Sequence, residues 1–304
     1  MYLNPCGAGI VGKDSPCGQD ALQECFYSLL ACIYSIINDP MDTKQLIKEK
    51  TVEKQVTEMA DAHCHLDLLE DIAQIAESIR YGVRTIVTNG VNTKSNMRAM
   101  ELADNKNIFA MLGIDPEHAG VGDDELEFTI KTIRQNATRI SGIGEIGLDY
   151  GRVKEKVGVE RQKEVFGAFL ELAKELRLPV SVHSRDAIVD VIHTLEEKGM
   201  EMVHIHFFEG SVQQAKEIEK RGWLISVPPI NSSKRGKIIK EIAIDNIMAE
   251  SDAPVVGVTP RDVEKSIEIV AEAKRIEFKR AADLLTQNTK KFFRLHTKGM
   301  FMRY

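Results

Sequence analysis

Between Ile140 and His183 the chain reads ISGIGEIG (Ile140–Gly147), then ERQKEVFGAFLELAKELR (Glu160–Arg177), then PVSVH (Pro179–His183). The outer two stretches are short β-rich runs and the middle one is a helical pattern. The same order continues in both directions. Upstream lie the β-rich runs Asp61–Asp67, Arg84–Asn89 and Ile108–Ile114, with helical patterns at Leu68–Ile79, Ser95–Asp104 and Leu126–Arg134. Downstream lie β-rich Met202–Phe207, Trp223–Val227 and Asn246–Ser251, with helical Ala187–Lys198, Val212–Lys220, Lys234–Ala243 and Val263–Arg275. Alternation of this kind means parallel strands joined by crossover helices. Eight strand–helix units at about 250 residues predict a (β/α)8 TIM barrel. A doubly wound open sheet would carry a GxGxxG or Walker loop after an early strand, and none is present. A last helix at Arg280–Leu295 is expected to close the end of the barrel.

Composition narrows the function classes. The chain has 304 residues, 43% hydrophobic and 28% charged, with a formal charge of −6. An acidic chain meets nucleic acid only through a local basic patch. No apolar stretch reaches the ~18–20 residues of a membrane span, and no basic cluster precedes an apolar run as in a secretory signal. Five cysteines make no extracellular disulfide framework, so the cytoplasm is the expected compartment.

Residues 1–58 read as a separate, Cys-containing extension ahead of a barrel at 59–304. Cys6, Cys17, Cys25 and Cys32 lack zinc-knuckle spacing. Cys25 and Cys32 share a helical face with Leu22, Leu29, Ile33 and Ile36, and a second helix is expected over Thr43–Glu58. Two readings stay open: a small helical appendage, or sequence translated from too early a start.

In a barrel the reactive groups come from the C-terminal ends of the strands. His63 and His65, at i and i+2, leave the first strand on one face. Glu145 lies near the end of the fourth strand, His183 ends the fifth, His206 lies near the end of the sixth, and Asp252 follows the eighth. Taken together on five strand ends, these residues suffice for two divalent ions. Imidazole suits Zn and other transition metals, and carboxylate can bridge. His204 is a lesser candidate ligand, and Cys64 should face away from the site and pack.

Five motifs resemble the TatD family of metal-dependent hydrolases and deoxyribonucleases, in the amidohydrolase superfamily. They are HCHLD within Asp61–Asp67, GEIGLDY at Gly144–Tyr150, PVSVHSRDA at Pro179–Ala187, HFFEGS at His206–Ser211 and ESDAP at Glu250–Pro254. They occur in order over about Met59–Phe293. The resemblance implies that His63 and His65 hold one metal, Glu145 bridges, His183 and His206 hold the second, and Asp252 returns to the first. It also implies 3′-directed DNA hydrolysis or a less defined phosphodiesterase activity. Some relatives act instead on D-aminoacyl-tRNA. Three departures stand out. Asp115 occupies the first His of a Gly-x-His-Pro-His, where its charge is expected to repel substrate phosphate, with His118 a partial substitute. Glu209 replaces a small polar residue, and no Asn-x-Pro follows Asp252.

The expected mechanism uses two divalent ions, Zn, Mg or Mn, and a hydroxide made nucleophilic by coordination. Asp252 orients it and takes its proton, with Glu145 as the bridging carboxylate. Asp67, Asp149 and Asp186 are candidates to accept the second N–H of a ligand imidazole. Arg185, Lys234, Arg235 and Lys237 are the expected phosphate contacts, the last three at a helix start that favours anions. Rim aromatics number only Tyr150, Phe207, Phe208 and Trp223, too few for an extended single strand. The expected partner is therefore a DNA end or a small phosphodiester. The alternatives are an acyl hydrolase such as a D-aminoacyl-tRNA deacylase, with tRNA as partner, and a barrel kept only for binding.

Overall fold

The chain divides into two units, Met1–Val56 and Thr57–Tyr304. The computed structural model describes residues 56–295, and the expected N-terminal helices and extension cysteines lie outside them. The strands are β1 (Met59–Cys64), β2 (Val83–Asn89), β3 (Ile108–Leu112), β4 (Gly142–Gly147), β5 (Val180–His183), β6 (Val203–Ile205), β7 (Leu224–Val227) and β8 (Ile247–Ala249). After them come α1 (Ala73–Arg80), α2 (Thr93–Leu102), α3 (Asp123–Gln135), α4 (Val159–Leu176), α5 (Ile188–Glu197), α6 (Val212–Lys220), α7 (Ser233–Glu241) and α8 (Val263–Lys274). A ninth helix, α9 (Phe278–Phe292), follows. The strands pair in sequence order, all parallel. The fold is the expected (β/α)8 barrel.

Strands covered on both faces need no polar alternation, which is why most read as near-continuous apolar runs. The helices carry the 3.6 period instead. In α4 the buried Val165, Phe166, Phe169, Leu170, Leu172 and Ala173 form the inward stripe. α6 starts at a capping box between Ser211 and Gln214. The expected Leu68–Ile79 helix is split. A short turn covers Leu66–Leu68, Leu69 is extended, and α1 begins only where the Asp71 carboxylate accepts the Ala73 N–H at 2.8 Å. The eighth strand is shorter than expected, because Ser251 leaves the ladder to bind Asp61.

That departure makes the seam. Asp61 Oδ1 accepts the Ser251 N–H at 2.8 Å and Oδ2 accepts its hydroxyl at 2.5 Å. Asp252 N–H donates to His63 O at 3.0 Å, and His65 N–H to Ala253 O at 2.7 Å. These bonds tie the last strand to the first. At the N-terminal end of the barrel, Phe293 is buried with Ala62, Val87, Met111, Leu224 and Met248. The turn after α9 thus fills the interior on the side away from the strand ends.

Candidate metal centre

Glu145 stands at the middle of the strand ends. Its Oε2 is 3.3 Å from the Nε2 atoms of both His63 and His65, which are themselves 3.3 Å apart. Asp252 Oδ1 completes this half, 3.4 Å from His65 Nε2 and 3.9 Å from His63 Nε2. The other oxygen of Glu145, Oε1, is 2.8 Å from His183 Nδ1 and 3.0 Å from His206 Nε2, and those nitrogens are 3.1 Å apart. Close packing of β4 on β5 allows this. Gly147 has φ +141°, and a Cβ there would lie 2.1 Å from His183 O. Asp252 adopts φ 47°, held by its N–H on His63.

The donor set fits a divalent cation. Facing imidazole nitrogens repel unless a proton or a cation lies between them. Ligand atoms of a tetrahedral ion at 2.0–2.1 Å are about 3.3–3.4 Å apart, the spacing of the His63, His65 and Glu145 atoms. The far ring nitrogens are engaged in the way that aims the near ones. His65 Nδ1 contacts Asn89 O at 3.0 Å, His63 Nδ1 contacts Ser181 Oγ at 3.2 Å, and His183 Nε2 contacts Asp149 Oδ2 at 3.0 Å. Asp149 therefore has the orienting contact expected of it. Asp67 instead accepts the Ser95 hydroxyl at 2.6 Å. His206 Nδ1 is buried without a partner, with Glu250 Oε2 3.8 Å away.

Electrostatics separate the residues. Burial alone would lower the His65 and His183 pKa values. Asp252 and Glu145 outweigh it at His65, and Asp149 and Glu145 at His183, raising each to about 10. His63, fully buried beside His206, is lowered to about 4. Burial opposes ionisation of Glu145, yet the surrounding imidazoles hold it well below the usual carboxylate range. Groups that crowd round shared protons in this way can equally share a cation.

The family model described as TatD related DNase matches residues 60–294. The chain belongs to the TatD family. It is 31% identical over 261 residues to Deoxyribonuclease TATDN3 of Homo sapiens, covering 77% of this chain and 94% of that protein. It is also 31% identical over 245 residues to an uncharacterized metal-dependent hydrolase of Methanocaldococcus jannaschii, covering 77% and 96%. The crystal structure of the TatD homologue YjjV of Escherichia coli superposes with a TM-score of 0.72 at 25% identity, covering 79% of this chain and 99% of that one.

Against the TatD pattern, the departure at Asp115 has an unexpected setting. Its Oδ1 accepts the His118 N–H at 2.9 Å and lies 2.7 Å from His118 Nδ1. The carboxylate thus faces an imidazole whose pKa it raises. Both residues line a pocket of about 450 Å³ that includes His65, Glu145, His183, His206 and Asp252.

The rim cations sort differently from expectation. Arg185 and Lys234 line this pocket, and so does Arg152, which sequence reasoning passed over. Arg235 and Lys237 are not among the lining residues. Arg235 is only 7% exposed, folded under its helix start with its guanidinium donating to Ile230 O and lying 5.6 Å from the Phe207 ring. Lys237, a turn further into α7, is exposed outside the pocket. Lys234 Nζ donates to Glu209 O, so the substituted Glu209 holds that cation through its backbone. Of the expected aromatics only Phe207 lines the pocket. Phe208 and Trp223 are buried, and the Tyr150 hydroxyl donates to Asp190. Cys64 is buried in the core, as expected.

His204 is not in the ligand layer. Both its ring nitrogens meet hydroxyls, Ser181 Oγ at 3.1 Å and Ser226 Oγ at 2.7 Å. Burial and the neighbouring His63 and His206 hold its pKa well below the usual range, so the ring is neutral. No helix among the described residues is long and apolar enough to cross a membrane.

Proposed function

We infer that this TatD protein is a dinuclear metal-dependent phosphodiesterase acting on DNA from a 3′ end. The observation that carries the reading is the divided carboxylate of Glu145, one oxygen facing His63 and His65 and the other facing His183 and His206. Two separate ligand sets around one bridging residue suit a pair of divalent ions, Zn, Mg or Mn. Bound there, the ions would lower the pKa of water, orient the phosphodiester and stabilise the charge gained in its hydrolysis.

The remaining work falls to the chain. Asp252 reaches the edge of the pocket from the β8 end, where it can hold and accept the proton of an attacking water. Asp149 fixes the ring of His183. Arg152, Arg185 and Lys234 face the same space and offer charge to phosphate oxygens. One lining aromatic gives no stacking track, which favours a strand end over a long single strand. The 3′ polarity rests on the family resemblance, and the Homo sapiens relative bearing a deoxyribonuclease name supports DNA as substrate.

The test is a matched assay of metal-loaded protein on single-stranded DNA with free or blocked 3′ ends, beside a D-aminoacyl-tRNA. Nucleotide release from free 3′ ends alone, lost in Asp252→Asn, is the expected result. Intact DNA with a released D-amino acid would move the chemistry to an acyl centre. Neither activity, with metal bound, would overturn the substrate assignment.

A further inference from the structure

The pocket over the candidate ligands is lined unevenly. Apart from the ligands themselves, the loops after β8, β1 and β2 contribute only Val255, Leu68 and Val91. Every charged lining residue other than those ligands follows β3, β4, β5, β6 or β7. The strands run in sequence order and the seam joins β8 to β1, so the β8–β1 border lies across the barrel from β4 and β5. One wall of the pocket is therefore aliphatic, and the facing wall is charged.

The aliphatic wall stands on the backbone of two candidate ligands. Leu68 N–H donates to His65 O at 3.1 Å, and the Val256 N–H beside Val255 donates to Asp252 O at 2.8 Å. Leu68 is 48% exposed and Val255 54%, although both are apolar. Such surface inside a pocket gains free energy when an apolar face covers it. On the facing wall, Arg152 and Arg185 follow adjacent strands. Among the described residues, neither guanidinium has a hydrogen-bond or ion-pair partner. Lys234 and His118, by contrast, already face Glu209 O and Asp115. A phosphodiester link carries a single negative charge, which the ions of the metal-centre reading would answer. Two free guanidiniums suit a further phosphate, which their planar forks can hold bidentately.

We propose that the two walls are subsites on either side of the scissile link: Leu68 and Val255 take the base of the 3′-terminal nucleotide, and Arg152 and Arg185 take the phosphate one nucleotide upstream. The preferred substrate is then a short 5′-phosphorylated oligonucleotide, of which a dinucleotide is the smallest complete example. The pocket, at about 450 Å³, is of the size that small-molecule sites have. The assignment rests on the phosphodiesterase reading and gives it an orientation across the barrel.

The experiment uses the full chain loaded with Zn²⁺ and three thymidine dinucleotides. One carries a 5′ phosphate, one lacks it, and one carries it but ends in a base-less 3′ tetrahydrofuran unit. Each is made as a phosphodiester for KM and kcat, and as an uncleavable, uncharged methylphosphonate for Kd by calorimetry. Wild type should bind the complete ligand about tenfold more tightly than the one without its 5′ phosphate, and about fivefold more tightly than the base-less one. Arg152→Ala and Arg185→Ala should each abolish most of the first preference and keep the second. Leu68→Ala and Val255→Ala should do the reverse, and Leu68→Met, which keeps an apolar side chain, should restore the preference for the base. Preferences unchanged in the variants, with the diesters hydrolysed, would overturn the subsites and leave the phosphodiesterase standing. Loss of both preferences together in every variant would also overturn them, since separate walls act separately. Hydrolysis of no diester by wild type would overturn the phosphodiesterase reading, and the subsites with it.

Discussion

Asp115 Oδ1 lies 2.7 Å from His118 Nδ1, so the carboxylate that departs from the TatD pattern faces an imidazole in the lining of the same pocket. The contact with Asp115 outweighs burial and raises the His118 pKa, so the ring stays charged to higher pH than a free histidine. A raised histidine pKa stabilises the fold fully below the unfolded value of about 6.5 and is lost as pH rises through the folded value. Urea unfolding of wild type and Asp115→Asn should therefore differ more at pH 6 than at pH 9. The His118 side chain is 39% exposed, so the difference should stay under about 1 kcal/mol. An equal gap at both pH values would mean that the ring is neutral throughout.

Glu145 serves both halves of the site, and its loss should differ in kind from that of a histidine. Metal analysis of Glu145→Gln is expected to find both ions depleted, whereas His65→Ala should deplete one. Activity should fall in each by more than about 100-fold. Two ions retained in Glu145→Gln would end the bridging assignment.

The rim cations should separate in steady-state kinetics. Arg152→Ala and Arg185→Ala are each expected to raise KM about tenfold, a loss of about 1.4 kcal/mol, with kcat little changed. Arg235→Ala should leave KM alone and lower the melting temperature, because its guanidinium packs on Phe207 and Ile230 instead of facing the pocket. A raised KM in Arg235→Ala would return that residue to the substrate.

The seam should be measurable as stability. Asp61→Ala would leave the buried Ser251 N–H and hydroxyl without their acceptor. A cost of about 2–4 kcal/mol is expected in urea, with an unchanged m value. A cost below about 0.5 kcal/mol would show that the first and last strands do not depend on this contact.

The fold was legible because eight β-rich runs alternate with helical periods, and all six candidate ligands were legible because strand ends in a barrel converge. Spacing along the chain could not tell which cations face inward. Arg235 and Lys234 are neighbours, yet one folds under the start of α7 and the other reaches the pocket. Arg152 lay in a loop with no pattern of its own. The hydroxyl contacts of His204 left a faint trace: Ser181 and His204 each stand two residues before a candidate ligand in otherwise apolar runs. Only three-dimensional adjacency joins them to Ser226.

The seam also imposes an order on synthesis. His63 and His65 leave the ribosome early, Glu145, His183 and His206 follow, and Asp252 comes last, since its neighbour Ser251 lies 190 positions beyond Asp61. A nascent chain can hold the central ligands, but it cannot complete the His63, His65 and Asp252 half before the final strand docks. That group of side chains is brought together only in a chain translated past its eighth strand.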